Sequence, residues 1–371
     1  MKVLSLFDGI SCARVALERV GISVELYYAS EVDRYAIQIA QRNYPDTLQV
    51  GSAVDLQGHL MTQIDLLIGG SPCQDLSIAK KNRKGLDGKR SGLFWEYIRI
   101  LKEVKPKYFV LENVASMPKE AKEVITKELG VEPIMINAAL VSAQNRKRLF
   151  WTNIKGITQP EDKGILLKDI LEKDVEEKYF LSKKITKYVL NGGTKSYYKK
   201  PEINPEKAFP LNATMAKMHR AGIDTYISTK RIGQIGKGGQ EDRIYSPEGK
   251  SVGLSALGGG RGAKTGLYCV GLIPESIKPK GNYLPRERVF SDRGKFRAVS
   301  TVSNQQPWMK QDTIIRKLTP VECERLMTLP DRYTEGVSNS QRYKMLGNGF
   351  VVDVVAHILK HIDKQLEKHT M

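Results

Sequence analysis

The chain has 371 residues, 41% hydrophobic and 27% charged, an ordinary globular composition with room for one large domain and a smaller one. Lys+Arg number 59 against 41 Asp+Glu, and the formal net charge of +18 favours a polyanionic partner through counterion release at phosphates, although a merely basic soluble protein has the same balance. The four cysteines, Cys12, Cys73, Cys269 and Cys323, lie far apart without a CxxC pair, which argues against a zinc site and against a disulfide framework.

The amino-terminal MKVLSLFDG runs straight into a strand, Lys2 to Phe7, and does not read as a signal peptide. Asp8-Gly9-Ile10-Ser11 is a tight turn. Ala13, Ala16, Leu17 and Val20 follow at helical spacing, with Gly21 as the carboxy cap. Val24 to Ser30 is predicted as a second strand ending in Glu31, and Asp33 caps a helix with Ala36, Ile39 and Ala40 on one face. Glu31 falls about twenty residues beyond the glycine turn, where such folds place a carboxylate on ribose hydroxyls. A solvated strand-end carboxylate is the other reading. The glycines are not a dinucleotide fingerprint: Gly9 is present, Ser11 stands where the second is expected, and the third is absent. A pyrophosphate needs the full set for close backbone approach, whereas a nucleoside without phosphates, such as S-adenosylmethionine, does not. Asp55, after Gly51-Ser52-Ala53-Val54, can accept from an adenine amino group or serve as a turn or helix-cap aspartate.

Ile64 to Ile68 reads as a buried strand ended by Gly69-Gly70, after which Ser71-Pro72 turns the chain and presents Cys73. A strand end in an α/β sheet faces the ligand crevice, and the glycines allow close approach of a substrate. On this stretch alone Cys73 reads equally as a reactive thiol and as a small buried hydrophobe. The next segment, DLSIAKKNRKGLDGKRSG, is polar and basic and lacks a packing face. It reads as a lid beside the thiol, with Gln74, Ser77, Lys81, Arg83, Lys84 and Arg90 where a phosphate backbone would pass, or as a solvated loop. Phe94, Trp95, Ile98 and Leu101 resume a helical face. Lys107 to Leu111 is a buried strand leading into Glu112-Asn113-Val114, so a second carboxylate stands at a strand end. A glutamate held there as an acid can donate to a base ring nitrogen. Met117 to Leu129 is predicted as a helix and Val131 to Asn137 as a strand. Gln144-Asn145-Arg146-Lys147-Arg148 precedes the strand Leu149 to Thr152, and its two arginines on a strand edge can hold a base carbonyl or a phosphate. An ordinary basic edge is the alternative.

Between Thr158 and Asp312 periodicity weakens while Gly and Lys increase. EDKGILLKDILE and KYFLSKKITKYVL read as linking helices. RIGQIGKGG, LSALGGGRGAKTG and FRAVSTVSNQQPW read as short strands and glycine-rich loops carrying Arg231, Lys237, Arg261, Lys264 and Arg297. Such loops suit major-groove readout; a flexible charged linker is the alternative. Thr319-Pro320-Val321-Glu322 is a capping box that starts a helix, whose Val321 and Leu326 face is expected to support the middle segment. The last helix carries Val351, Val354, Val355 and Ile358 on one face and is expected to return beside strand one, bringing Asn348 to the cofactor. FVVDVVAHIL is broken by Asp353 and His357, and no membrane span is read.

The ordered set FDG, strand-end Glu31, Asp55, GGSPCQ, ENV, QNRKR, RKLTPVECERLMTLPD and LGN resembles the cytosine-5 DNA methyltransferases. The resemblance covers the chain to about Ile154 and again from about Ile315. It implies an α/β fold: a Rossmann-like, S-adenosylmethionine-dependent methyltransferase sheet of seven strands, over residues 1–157 and 313–371. It also implies a smaller, irregular, β-rich target-recognition domain over residues 158–312. By the family's pattern Cys73 is the nucleophile, Glu112 its acidic partner, and Arg146 and Arg148 the arginines of the base site. The cofactor positions are Phe7, Gly9, Ile10, Glu31, Val32, Asp55, Leu56, Pro72 and Asn348. Two departures are FDGIS, where many members have a second glycine, and Gly349 in place of Ser or Ala.

The reading is therefore a DNA (cytosine-5-)-methyltransferase that uses S-adenosylmethionine, releases S-adenosylhomocysteine and needs no metal. It acts on a cytosine flipped out of duplex DNA, since a ring face is inaccessible inside the stack. The expected setting is the cytoplasm of a bacterium, or of a host when phage-encoded, with the protein a monomer away from membranes. A cognate restriction endonuclease is open as a further partner. A tRNA-directed member and a catalytically silent DNA-binding relative are the alternatives.

Overall fold

In the computed structural model, which describes residues 1–61, 63–72, 92–172, 175–182, 185, 205–211, 213, 225–234, 243–245, 267–268 and 313–367, the apolar opening of the chain forms β1 (Lys2–Leu6). β2 (Leu26–Ser30) pairs with it in parallel on one side and β4 (Leu66–Gly70) on the other. The crossovers carry α1 (Cys12–Arg19) and α2 (Arg34–Asn43). Asp33 caps α2 by accepting from the Tyr35 amide at 3.0 Å. With β3 (Leu48–Gln49), β5 (Tyr108–Val114), β6 (Ile134–Asn137) and β7 (Lys147–Thr152) the sheet has seven strands in the order β3-β2-β1-β4-β5-β7-β6. This is the seven-stranded α/β sheet expected from the sequence. Strand order reverses beside β1, so the carboxyl ends of β1 and β4 open the crevice where such sheets take ligands.

β7 runs antiparallel to both its neighbours, which brings its amino end to the same crevice. This corrects the reading of the QNRKR arginines as a strand edge. β7 is interior, because Leu149, Phe150 and Trp151 are all buried and need cover on both faces; the edge strand is β6. Arg146 lies ahead of β7 and only Arg148 is in it. Several boundaries also move inward, β2 starting at Leu26 and β4 at Leu66 among them. α4 (Lys119–Leu129) starts after Pro118, with Met117 packed in the core, and β6 begins only at Ile134. The core beneath the sheet is built from Leu4, Leu6 and Leu67 with Phe94, Tyr97 and Ile98 of α3 (Leu93–Val104).

The chain divides into two compact units. The first comprises Met1–Ile170, Glu206–Met218 and Pro320–Met371, and the second Leu171–Pro205 with His219–Thr319. In the first unit the helix expected over EDKGILLKDILE is one turn, α5 (Leu167–Ile170). β8 (Tyr226–Gln234), β9 (Arg243–Tyr245), β10 (Leu267–Tyr268) and β11 (Thr313–Lys317) form a four-stranded sheet of the second unit, ordered β10-β9-β8-β11. There Tyr226 is buried against Leu181 and Ile185. Most of KYFLSKKITKYVL and all of LSALGGGRGAK and FRAVSTVSNQQPW lie outside the described residues.

α6 (Pro320–Leu326) begins at the proline, as the capping box predicts. The carbonyl of its last residue, Leu326, accepts from Ser142 Oγ at 2.6 Å and Gln144 Nε2 at 3.4 Å, which ties the helix to the connection before β7. α7 (Asn339–Asn348) and α8 (Val352–Glu367) follow, and α8 packs on α1. The two ends of the chain thus share one unit. Among the described residues no single helix is long and apolar enough to cross a membrane.

Candidate functional site

The turn after β1 holds three residues in the left-handed region: Phe7 at φ 57, Gly9 at φ 62 and Ser11 at φ 60. Non-glycine residues rarely adopt that conformation, so something must hold it. Glu31 does so from the end of β2. Its Oε2 accepts from the Gly9 amide at 2.8 Å, and its Oε1 accepts from the amides of Val32 and Asp33 at 2.7 and 2.8 Å. A carboxylate has about four acceptor positions, so one remains for a hydroxyl in the crevice. Beneath the turn Asp8 is buried and accepts from Ser11 Oγ at 2.6 Å and Tyr27 Oη at 2.7 Å. Burial pushes the Asp8 carboxyl above its ordinary range despite those bonds. Ile10 is closed in the core and its carbonyl is taken by the Tyr333 hydroxyl at 2.8 Å, while Val32 stands 74% exposed.

An open cavity of about 450 Å³ is walled by Tyr28 of β2 and by Val50, Leu56, Leu60 and Met61, with Asp55 and Gln57 as its polar groups. That volume suits a small ligand. A lining of apolar side chains with one carboxylate and neither Lys nor Arg suits an uncharged base bearing an amino group and does not suit phosphates. A Cβ built on Gly9 or Gly51 would meet nothing within 4 Å, so the turns on this side stand open. The residues present fit S-adenosylmethionine.

The second part of the site forms where β4 meets β5. Gly70 pairs with Glu112, and a Cβ on Gly70 would come within 2.8 Å of Phe350 Cε1 and 3.2 Å of Glu112 Oε2. A Cβ on Gly69 would come within 2.8 Å of the Leu6 carbonyl. Both glycines are therefore required by close approach. Asn113, buried, donates to Ser71 Oγ at 3.1 Å and fixes the first residue beyond β4. Pro72 is the last described residue there. Cys73 lies outside the described residues, as do Gln74, Ser77, Lys81, Arg83, Lys84 and Arg90. Arg148 Nε meets Glu112 Oε1 at 2.7 Å, with both side chains largely buried.

Arg146 has a different setting. It is 4% exposed, and its guanidinium donates to the carbonyls of Leu211 at 3.1 Å, Gly347 at 3.2 Å and Gly349 at 3.1 Å. It clamps two backbone segments that are distant in sequence, at Leu211 and at Gly347–Gly349. Asn348 is exposed at the end of α7, and a Cβ on Gly349 would lie 3.2 Å from Cys12 Sγ. Burial, and then the nearby Asp8 charge, pushes the Cys12 thiol up to about 12, so it stays protonated; Cys323 is buried as well. Of the expected DNA-reading residues of the middle segment, Arg231 is in β8, and Lys237, Arg261, Lys264 and Arg297 lie outside the described residues.

Three residues of the site escaped the sequence reading. Asn113 sits inside the quoted ENV but carried no role. Phe350 follows the glycine that was singled out. Arg99 looks like an ordinary charge of an amphipathic helix, with Glu96 and Glu103 at its i−3 and i+4 positions.

A family model described as C-5 cytosine-specific DNA methylase matches residues 1–364. The chain is 28% identical to the orphan methyltransferase M.SPRI of Bacillus phage SPR, with 98% of this chain and 97% of that protein covered. It is 28% identical to the type II methyltransferase M.HhaI of Haemophilus parahaemolyticus, with 99% and 95% covered. Among solved structures, the Entamoeba histolytica methyltransferase EhMeth superposes with a TM-score of 0.63 at 15% identity, covering 99% of this chain and 98% of that one. The S. pombe Dnmt2 methyltransferase does so with a TM-score of 0.57 at 16% identity, covering 99% of each chain. At these identities the two structures speak for the fold alone.

Proposed function

The chain belongs to the C-5 cytosine-specific DNA methylase family, and from that premise we propose how its own residues methylate C5 of cytosine in DNA with S-adenosylmethionine as donor. The observation that carries the reading is the meeting of the β4 and β5 ends, where Glu112 and Arg148 stand paired across the strand from the glycines that lead to Cys73.

C5 of cytosine is a weak nucleophile. In our reading the Cys73 thiolate attacks C6, forming an S–C6 bond and giving C5 enamine character. Glu112 holds N3 and balances the charge that develops on the ring, and Arg148 holds the carbonyl oxygen. When bound, S-adenosylmethionine supplies an electrophilic methyl group at C5. A base then removes the C5 proton, the electron pair restores the C5–C6 double bond and Cys73 leaves as thiolate. Glu31 holds the donor's ribose and Asp55 its amino group, with Leu56 and Val32 against the base and S-adenosylhomocysteine as the product. Arg146 is a positioning residue that fixes the Gly347–Gly349 backbone.

The finer parts of the proposal are a flipped base in a specific duplex site, read by the second unit, and a monomeric enzyme. Its homologues include phage orphans, so a cognate endonuclease is not required. The test is a 5-fluorocytosine duplex, beside a 5-fluorocytosine tRNA, incubated with the enzyme and S-adenosylmethionine and analysed by intact mass. An adduct on the duplex that vanishes in Cys73→Ser is expected. An adduct that persists in the variant would move the nucleophile elsewhere, and trapping on tRNA alone would overturn the duplex reading. Bisulfite sequencing of DNA from expressing cells would give the target sequence.

A further inference from the structure

Arg99, in the second turn of α3, reaches across to the loop that follows β3. Its Nη1 donates to the Leu56 carbonyl at 2.9 Å, and its Nη2 donates to the carbonyls of Ala53 at 2.9 Å and Val54 at 3.5 Å. The remaining N–H groups meet two carboxylates of the same helix: Nε donates to Glu96 Oε2 at 2.8 Å and Nη1 to Glu103 Oε1 at 2.9 Å. Glu96 and Glu103 thus fix the plane of the guanidinium from either side, a use of the rigid five-donor fork that lysine cannot copy. The second oxygen of Glu103 accepts from the Gly58 amide at 2.8 Å, and Gly58 packs so tightly on α3 that a Cβ there would lie 2.9 Å from Val104 Cγ2. One array on one helix therefore grips both ends of the stretch Ala53 to Gly58.

The consequence concerns which way that stretch faces. Three of its carbonyls point at Arg99, while the side chains of Asp55 and Leu56 line the 450 Å³ cavity. We propose that Arg99 is a positioning residue of the donor site, turning the Ala53–Leu56 backbone so that Asp55 and Leu56 present themselves to the nucleoside. This rests on the reading of that cavity as the donor's pocket. The array is too exposed to hold the fold: the Arg99, Glu96 and Glu103 side chains are 34%, 26% and 26% exposed, and ion pairs at such positions contribute little to global stability. Water can reach the three carbonyls if the guanidinium is removed. The loop then relaxes while the sheet stays, so donor affinity and folding stability separate.

The experiment measures S-adenosylhomocysteine binding by calorimetry, together with KM for S-adenosylmethionine, kcat, duplex-DNA affinity and thermal melting. The proteins compared are the wild type, Arg99→Ala, Arg99→Lys, Glu103→Gln and Asp55→Ala. Arg99→Ala is expected to weaken S-adenosylhomocysteine roughly tenfold or more and to raise KM for the donor alike, since small misplacements of a binding group carry large penalties. It should leave kcat and DNA affinity within about threefold, the signature of lost uniform binding. Arg99→Lys should recover only part of the affinity, and Asp55→Ala should weaken binding at least as much as Arg99→Ala. Wild-type affinity in Arg99→Ala, with binding lost in Asp55→Ala, would overturn the positioning role and leave the pocket standing. Unchanged affinity in both would remove the pocket reading itself. If Arg99→Ala fails to fold, unchanged affinity in both folded variants, Arg99→Lys and Glu103→Gln, overturns the proposal.

Discussion

Arg148 Nε donates to Glu112 Oε1 at 2.7 Å, and the two share one face of the sheet because Arg148 stands opposite Val114, two residues along β5 from the glutamate. The reversal of β7 makes this meeting possible. A parallel strand in that place would carry its first residues to the other end of the sheet, away from the β4 turn.

That pairing sets the first prediction. Glu112→Gln keeps the shape but loses the charge, and is expected to lower single-turnover methyl transfer by roughly tenfold to a hundredfold, the worth of a charge-assisted hydrogen bond of about 1.5–3 kcal/mol. Duplex affinity, read by fluorescence anisotropy, should stay within about threefold. Arg148→Lys should not restore activity to wild type, because an ammonium cannot reproduce the guanidinium's side-on contact. Equal losses in binding and transfer for Glu112→Gln would count against its place on the ring.

The glycines of β4 give a second. Gly70→Ala is expected to cost about 1–3 kcal/mol of stability by overpacking against Phe350, and Phe350→Leu in the same chain should recover much of it. Gly69→Ala meets the Leu6 carbonyl instead, and backbone cannot step aside like a side chain, so it should be the more damaging. Urea unfolding of the three variants would rank them, and a Gly70→Ala loss untouched by Phe350→Leu would contradict the contact.

Asp8 gives a third, in pH. Its carboxyl is pushed up by burial, so the folded chain keeps a proton that the unfolded chain releases. Stability from this group is full below the unfolded carboxyl range, near pH 4, and is lost as pH rises toward the higher folded value. Asp8→Asn has no such dependence. The melting temperature of Asp8→Asn relative to wild type should therefore rise across the window that opens above the unfolded carboxyl range. A difference flat across that window would mean that Asp8 titrates alike in both states.

Glu324 gives a fourth. It is fully buried, and accepts from the amides of Arg332 at 2.7 Å and Thr334 at 2.8 Å and from Arg342 Nη2 at 2.8 Å. Arg342→Met leaves that charge without its cation and is expected to cost about 3–5 kcal/mol, with Glu324→Gln in the same chain recovering part of the loss. Chemical denaturation checks both, and additive losses would argue against the coupling.

How much of this was legible follows from what each residue depends on. Glu31 and Glu112 could be picked out because each follows a buried apolar run, although β5 continues through Glu112 to Val114. The direction of β7 could not, since Leu-Phe-Trp-Thr looks the same read up or down the sheet. Arg146 and Arg148 are alike in sequence, yet one clamps the carbonyls of Leu211, Gly347 and Gly349 while the other meets Glu112. Those partners are set by segments far along the chain. Arg99 was invisible for the same reason: its local carboxylates explain it fully until the loop of Ala53 is folded over it.

The packing of α8 on α1 bears on how the protein is made. Translation delivers α1 long before its covering partner α8, so a nascent chain carries the apolar side of α1 bare while the residues between them are made. Ribosome-bound fragments that stop short of Val352 should recruit holdase chaperones even though they already hold every group assigned to chemistry. Supplying the missing segment in trans should release them.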